Sequence, residues 1–184
     1  MALTASLLRF RVQLSDVDRG VYEALDVRLA RHPSESDRHL VARLLAYVCW
    51  YEEGLAFSGG GVSAPDEPAL ALRDAGGAVR LWIEIGQPSP ARLAAATRQS
   101  PRVVVVAHRD PAPLLAALAR EPLRRPEGLE VHALDPALVD ALVDAVGERG
   151  AALAVTVSDR VLYVDLGGRQ LSGEVHLVRQ PRGA

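Results

Sequence analysis

The stretch Val79-Arg80-Leu81-Trp82-Ile83-Glu84-Ile85-Gly86-Gln87-Pro88, followed by residues 91–98 and then Val103-Val104-Val105-Val106-Ala107, decides the fold. Val79, Leu81, Ile83 and Ile85 alternate with Arg80, Trp82 and Glu84, the period of a strand with one apolar face. Pro90 near the start of 91–98 suits the first turn of a short helix. The unbroken apolar run 103–107 reads as a central strand covered on both faces. Strand, helix and strand in this order predict a parallel pair joined by a crossover helix.

Outward from this core the pattern continues. Residues 113–120 and 136–146 read as helices, and 129–133, 152–157, 161–165 and 174–178 as strands. Toward the amino terminus, Leu8, Phe10, Val12 and Leu14 share one parity and Arg9, Arg11 and Gln13 the other. A polar turn at 15–20 leads to a second strand at 22–31, so an antiparallel hairpin is expected. Ser34 is a fitting N-cap for a helix whose stripe is Leu40, Val41, Leu44, Leu45 and Val48, with Gly54 as its stop. Residues 58–68 form a Gly- and Pro-rich loop, and 179–184 a disordered tail. The whole of 1–184 is expected to be one α/β domain with a mixed sheet, helices on its faces and an N-terminal β-hairpin.

Composition narrows the chemistry. All 21 basic side chains are arginine and there is no lysine, which excludes a Walker A lysine and a Schiff-base lysine. With 23 Asp plus Glu the net charge is −2, so any basic nucleic-acid-binding surface must be local. The single cysteine, Cys49, excludes an internal disulfide and a multi-cysteine zinc site, and is expected to be buried and inert. No apolar run approaches the ~20 residues of a membrane span, and the first residues do not read as a signal peptide. A cytoplasmic monomer without membrane contact, needing no cofactor to fold, is expected.

The stretch that decides the fold also carries the best chemical candidate. Glu84 stands at the end of a strand, and Gly86 permits a sharp turn that brings Gln87 beside it; a carboxylate so placed suits a hard cation such as Mg²⁺. The plain alternative is a solvated strand residue followed by a turn. Asp66 and Glu67 add carboxylates on the loop, against a reading as ordinary acidic surface. Glu52 and Glu53 end the first long helix, with the helical wheel favouring Glu52 as the inward one. His108 follows the apolar strand, where α/β sites form, although a capping or surface role is the plainer reading.

Four segments in order, Ala30-Arg31-His32-Pro33-Ser34-Glu35, Arg43-Leu44-Leu45-Ala46, Asp66-Glu67-Pro68 and Leu81 to Pro88, resemble the signature segments of YaeQ family proteins along nearly the whole chain. The resemblance implies a compact PD-(D/E)XK nuclease-like fold, in which acidic residues hold Mg²⁺ or Mn²⁺ for phosphodiester hydrolysis. By position, Glu84 matches the motif carboxylate, Gln87 the substitute for the usual lysine, and Glu53 the helix glutamate. Where the family pattern reads Glu-Pro-Asp-Leu, this chain has Glu67-Pro68-Ala69-Leu70. Ala69 cannot ligate, so Asp66 and Glu67 are the remaining companions for Glu84. What the resemblance implies is therefore a nuclease with a degenerate site, weak or inactive, acting on or binding nucleic acid; the alternative is a non-catalytic regulator that binds nucleic acid or protein. If nucleic acid is bound, Arg31, Arg92 and Arg98 around the motif region are the candidate phosphate contacts.

Overall fold

The structure is a computed structural model that describes residues 6–58 and 67–180. Two long strands, β1 (Ser6–Asp16) and β2 (Val21–Arg31), form the expected hairpin, in the register that puts Leu8 against Leu29 and Phe10 against Val27. One parity is buried on both strands, so a one-residue slip would expose the whole apolar set. The turn is tied down from two sides. Arg19 bonds the buried Asp16 carboxylate and the Tyr51 carbonyl, and Asp18 accepts the backbone N–H groups of Asp159 and Arg160.

Helix α1 (Asp37–Cys49) follows, capped by Ser36, whose hydroxyl accepts the His39 N–H. Ser34, the expected cap, instead bonds the His32 ring. The helix ends with Trp50 at its C-cap, so Gly54 is not its stop; it makes a left-handed turn (φ 91°) four residues later. Leu40, Val41, Ala42, Leu44, Leu45, Ala46 and Val48 are all buried, because α1 lies against the sheet on one side and a second helix on another. Cys49, expected to be buried, is half-buried at the edge of the core, and desolvation pushes its thiol up to about 12.

Two short strands that the sequence pattern does not reveal come next, β3 (Ala56–Phe57) and β4 (Leu70–Arg73). The crossover unit is as expected: β5 (Val79–Ile85), α2 (Pro90–Gln99) and β6 (Arg102–Ala107). The chain continues through α3 (Ala112–Arg120), β7 (Leu129–Leu134), α4 (Pro136–Ala145), β8 (Ala152–Ser158), β9 (Val161–Leu166) and β10 (Arg169–Arg179). β10 runs much longer than residues 174–178 and takes in Arg179, and residues 181–184 of the expected tail lie outside the described residues. At Gly173 an added Cβ would sit 2.7 Å from the Leu138 Cβ, so α4 packs directly on that strand.

The strands form one mixed sheet in the order β2-β1-β8-β9-β10-β7-β6-β5-β4-β3. β5, β6 and β7 are parallel to one another, as are β1 and β8. Two cores follow from the pleat. Ile83, Ile85, Val104 and Val106 face α1 and α4, while Trp82, Val103 and Val105 face α2 and α3. Residues 103–107 are apolar without a break because both faces are covered.

Candidate functional site

The parallel strands β5 and β6 end side by side at Ile85 and Ala107, the position where open α/β sheets place ligands. Gly86 turns the chain there with φ 89°, a conformation that favours glycine, and its N–H donates to the Val106 carbonyl at 2.9 Å. Glu84 precedes this turn and points to the α2 face. It is not solvated: only 4% of it is exposed. Its Oε1 accepts the Trp82 indole N–H at 2.7 Å and the Arg92 Nε–H at 2.8 Å. Arg92, from the first turn of α2, also donates to the Glu67 carbonyl at 2.6 Å. One guanidinium thus joins the end of β5 to the chain just before β4.

The other expected site residues have separate partners. Gln87 donates its amide to the Asp110 carbonyl at 2.8 Å, stapling the turn after β5 to the turn before α3. Glu67 is exposed, and Asp66 lies outside the described residues. Ala69 donates its N–H to the Ile83 carbonyl and packs against the core on the α1 side, away from the face on which Glu84 meets Arg92. Glu52 and Glu53 are both exposed and line a cleft with Arg73 and Arg80. Arg80 is four residues before Glu84 along β5, roughly 13 Å at strand spacing, so Glu53 sits at the opposite end of the strand.

On the α1 face lies a polar cluster that the sequence reading passed over. Glu35 accepts Arg43 Nη1–H on both oxygens at 3.0 Å, pairs with His39 Nδ1 at 2.7 Å and accepts the His32 N–H. Arg43 is 2% exposed, donates also to the Ala30 carbonyl, and lies over the Phe57 ring. Burial pushes the Glu35 carboxyl up, but the His39 hydrogen bond and the Arg43 charge outweigh it and hold the group below the usual carboxylate range. The available signal was the spacing: 35, 39 and 43 recur every four residues, and Arg43 interrupts an otherwise apolar helix face.

His108 completes this end of the molecule. Its ring meets His39 edge to face at 5.9 Å, and Arg38 donates to its carbonyl at 3.0 Å while ion-pairing with Asp140. Burial first, then the charges of His39, Arg109 and Arg38, lower its pKa to about 4, so the imidazole is neutral at pH 7. Its buried Nδ1 has no hydrogen-bond partner among the described residues. A Cβ on Gly86 would lie 3.6 Å from its Nε2, so His108 flanks the turn after Glu84.

A hard divalent cation does not fit this donor set. It requires several oxygen ligands with free lone pairs. Here the Glu84 oxygen that faces α2 is engaged by a guanidinium, whose charge repels a cation, and Ala69 brings no oxygen. Among the described residues no three His, Cys, Asp or Glu side chains are grouped for a metal.

Known proteins share this architecture. A family model described as YaeQ protein matches residues 1–175. The chain is 30% identical over 182 residues to a protein of Escherichia coli K12 described as uncharacterized protein YaeQ, covering 98% of this chain and 99% of that one. It is similar to the crystal structure of YaeQ protein from Pseudomonas syringae, with TM-score 0.87, 31% identity and coverage of 97% of this chain and 98% of that one. The structure of YaeQ protein from Xanthomonas axonopodis pv. citri matches with TM-score 0.88 and 32% identity, over 97% of this chain and 100% of that one.

Proposed function

This chain belongs to the YaeQ family, and from that premise we propose a nuclease-like domain with a degenerate metal site, which binds nucleic acid and cleaves it weakly or not at all. The observation that carries the reading is the Glu84–Arg92 pair at 2.8 Å. The motif carboxylate is neutralised by a side chain of the same molecule, where a metal-dependent nuclease needs it free to gather a cation. Ala69, in place of the motif aspartate, removes the second ligand. Gln87, bonded to the Asp110 carbonyl, supplies no positive charge to a transition state. In this reading Arg92 stands at Glu84 where a nuclease would gather Mg²⁺ or Mn²⁺, and the protein works as a cytoplasmic monomer.

A non-catalytic regulator with a protein partner is the second reading. It is favoured by the net charge of −2 and by how many arginines are already matched to carboxylates, Arg31 with Asp37 and Arg102 with Glu130 among them.

The test offers labelled single- and double-stranded DNA and RNA to the protein with Mg²⁺, with Mn²⁺ and with chelator. Binding by fluorescence anisotropy that persists in chelator, without cleavage product, supports the proposal. Efficient, multiple-turnover Mn²⁺-dependent cleavage that disappears in Glu84→Gln overturns it, and no binding to any nucleic acid leaves the protein-partner reading.

A further inference from the structure

A cleft of about 690 Å³ lies beside α2, between that helix and the segment that joins α3 to β7. Three arginines line it, Arg98 from the last turn of α2 and Arg124 and Arg125 from the connecting segment, against one carboxylate, Glu121. All three are exposed, and none makes a side-chain hydrogen bond or ion pair with another described residue. That sets them apart from Arg9, Arg31, Arg38, Arg43, Arg92 and Arg102, each of which is held by a carboxylate. Unmatched like charges brought together repel, and on a chain of net charge −2 such a cluster calls for an anion from outside.

The cleft is also held in shape. Val103 donates to the Gly128 carbonyl at 2.8 Å, and Leu129 donates to that of Pro126 at 3.1 Å. A Cβ at Gly128 would sit 2.0 Å from the Pro101 carbonyl oxygen, so the end of the connecting segment is pressed against the start of β6. Ala91, Ala94 and Arg98 recur at three and four residues, so one side of α2 lines the cleft with small side chains and one guanidinium.

We infer that this cleft seats the phosphodiester backbone of a nucleic-acid strand, with Arg98, Arg124 and Arg125 on its phosphates. The inference rests on the nucleic-acid reading above and says where that contact is made. Guanidinium groups pair phosphate oxygens bidentately. The lining has no aromatic ring on which a base could stack, so the contact is with the backbone and indifferent to sequence. Its free energy comes from released counterions and is therefore steeply dependent on salt.

The experiment measures the affinity of full-length protein for a labelled mixed-sequence single-stranded oligonucleotide by anisotropy, from low to physiological salt. The proteins are wild type, Arg98→Ala/Arg124→Ala/Arg125→Ala, the same three positions changed to Lys, and Arg169→Ala as an exposed control on β10. The triple alanine variant is expected to bind at least about tenfold more weakly at low salt, and its slope of log affinity against log salt to flatten by about 2. The triple lysine variant and Arg169→Ala are expected to keep most of the wild-type slope. Wild-type binding that survives unchanged in the triple alanine variant overturns the cleft while leaving the nucleic-acid reading standing. No wild-type binding at any salt overturns both.

Discussion

Two carboxylate–arginine pairs stand on opposite faces of the same sheet and differ in what surrounds them. Glu35 and Arg43 lie on the α1 face, with Arg43 only 2% exposed and both ends of the pair supplied by α1 and the turn leading into it. Glu84 and Arg92 lie on the α2 face, with Arg92 26% exposed and reaching across to the Glu67 carbonyl. A guanidinium sealed from water must keep its partner, because breaking a buried pair leaves an uncompensated charge. A guanidinium at the rim can be rehydrated. The first pair is consequently part of the framework, and the second is a tie at the solvent rim that holds the carboxylate near the end of β5.

The largest effect should come from breaking the sealed pair. Arg43→Met, which keeps the volume and removes the charge, is expected to lower unfolding free energy by about 3–5 kcal/mol in denaturant titration. Adding Glu35→Gln to it should recover part of the loss, since the orphaned charge goes with it. A loss below about 1 kcal/mol would erase the distinction between the two faces.

Next in size is a pH effect beside the same cluster. His108 has a folded pKa of about 4 against 6.5 when unfolded, so the unfolded chain takes up the proton first as pH falls. Stability should be flat above pH 6.5 and decline between 6.5 and 4, by about 3 kcal/mol at most. His108→Gln should flatten that part of the curve; an unchanged slope would mean the imidazole is charged in the folded protein.

The rim pair should give less. Arg92→Met is expected to cost about 1–2 kcal/mol, because Trp82 still serves Glu84 and the guanidinium that is lost borders solvent, where water can take its place. Its sharper signature is local: amide hydrogen exchange at residues 69–72 should speed up as the tie to the Glu67 carbonyl is lost, with β1 and β2 unaffected. Smallest of all is the fully superficial pair on the hairpin, where Arg9→Ala should leave the denaturant midpoint unchanged within experimental error.

Much of this architecture could be read from the sequence, since periodicity reports burial. The alternation in β1, β2 and β5 and the solid apolar run in β6 gave the mixed sheet, the hairpin and the crossover helix. β3 and β4 escaped because two and four residues are too few to show a period. β10 was underestimated because Ser172 and Gly173 interrupt its apolar alternation, although Gly173 is there to admit α4. At the candidate site, the position of Glu84 near the end of its strand is legible in the sequence and its surroundings are not. Pattern reading put Trp82 and Glu84 on a polar face, whereas α2 covers them and Arg92 closes over the carboxylate, a contact eight residues apart that only the folded crossover creates. The Glu35, His39 and Arg43 stripe was visible as a four-residue spacing, but its burial depends on β2, β3 and α1 meeting in space.

The most direct test of the claim that Arg92 holds Glu84 in place of a metal is calorimetric titration of Mn²⁺ into wild type, Arg92→Met and Glu84→Gln/Arg92→Met. Wild type is expected to give weak heats without saturation in the micromolar range. Arg92→Met should bind more tightly because the carboxylate is released, and the double variant should lose that gain. Micromolar binding by wild type, equal in all three proteins or lost on removing Arg92, would contradict the account.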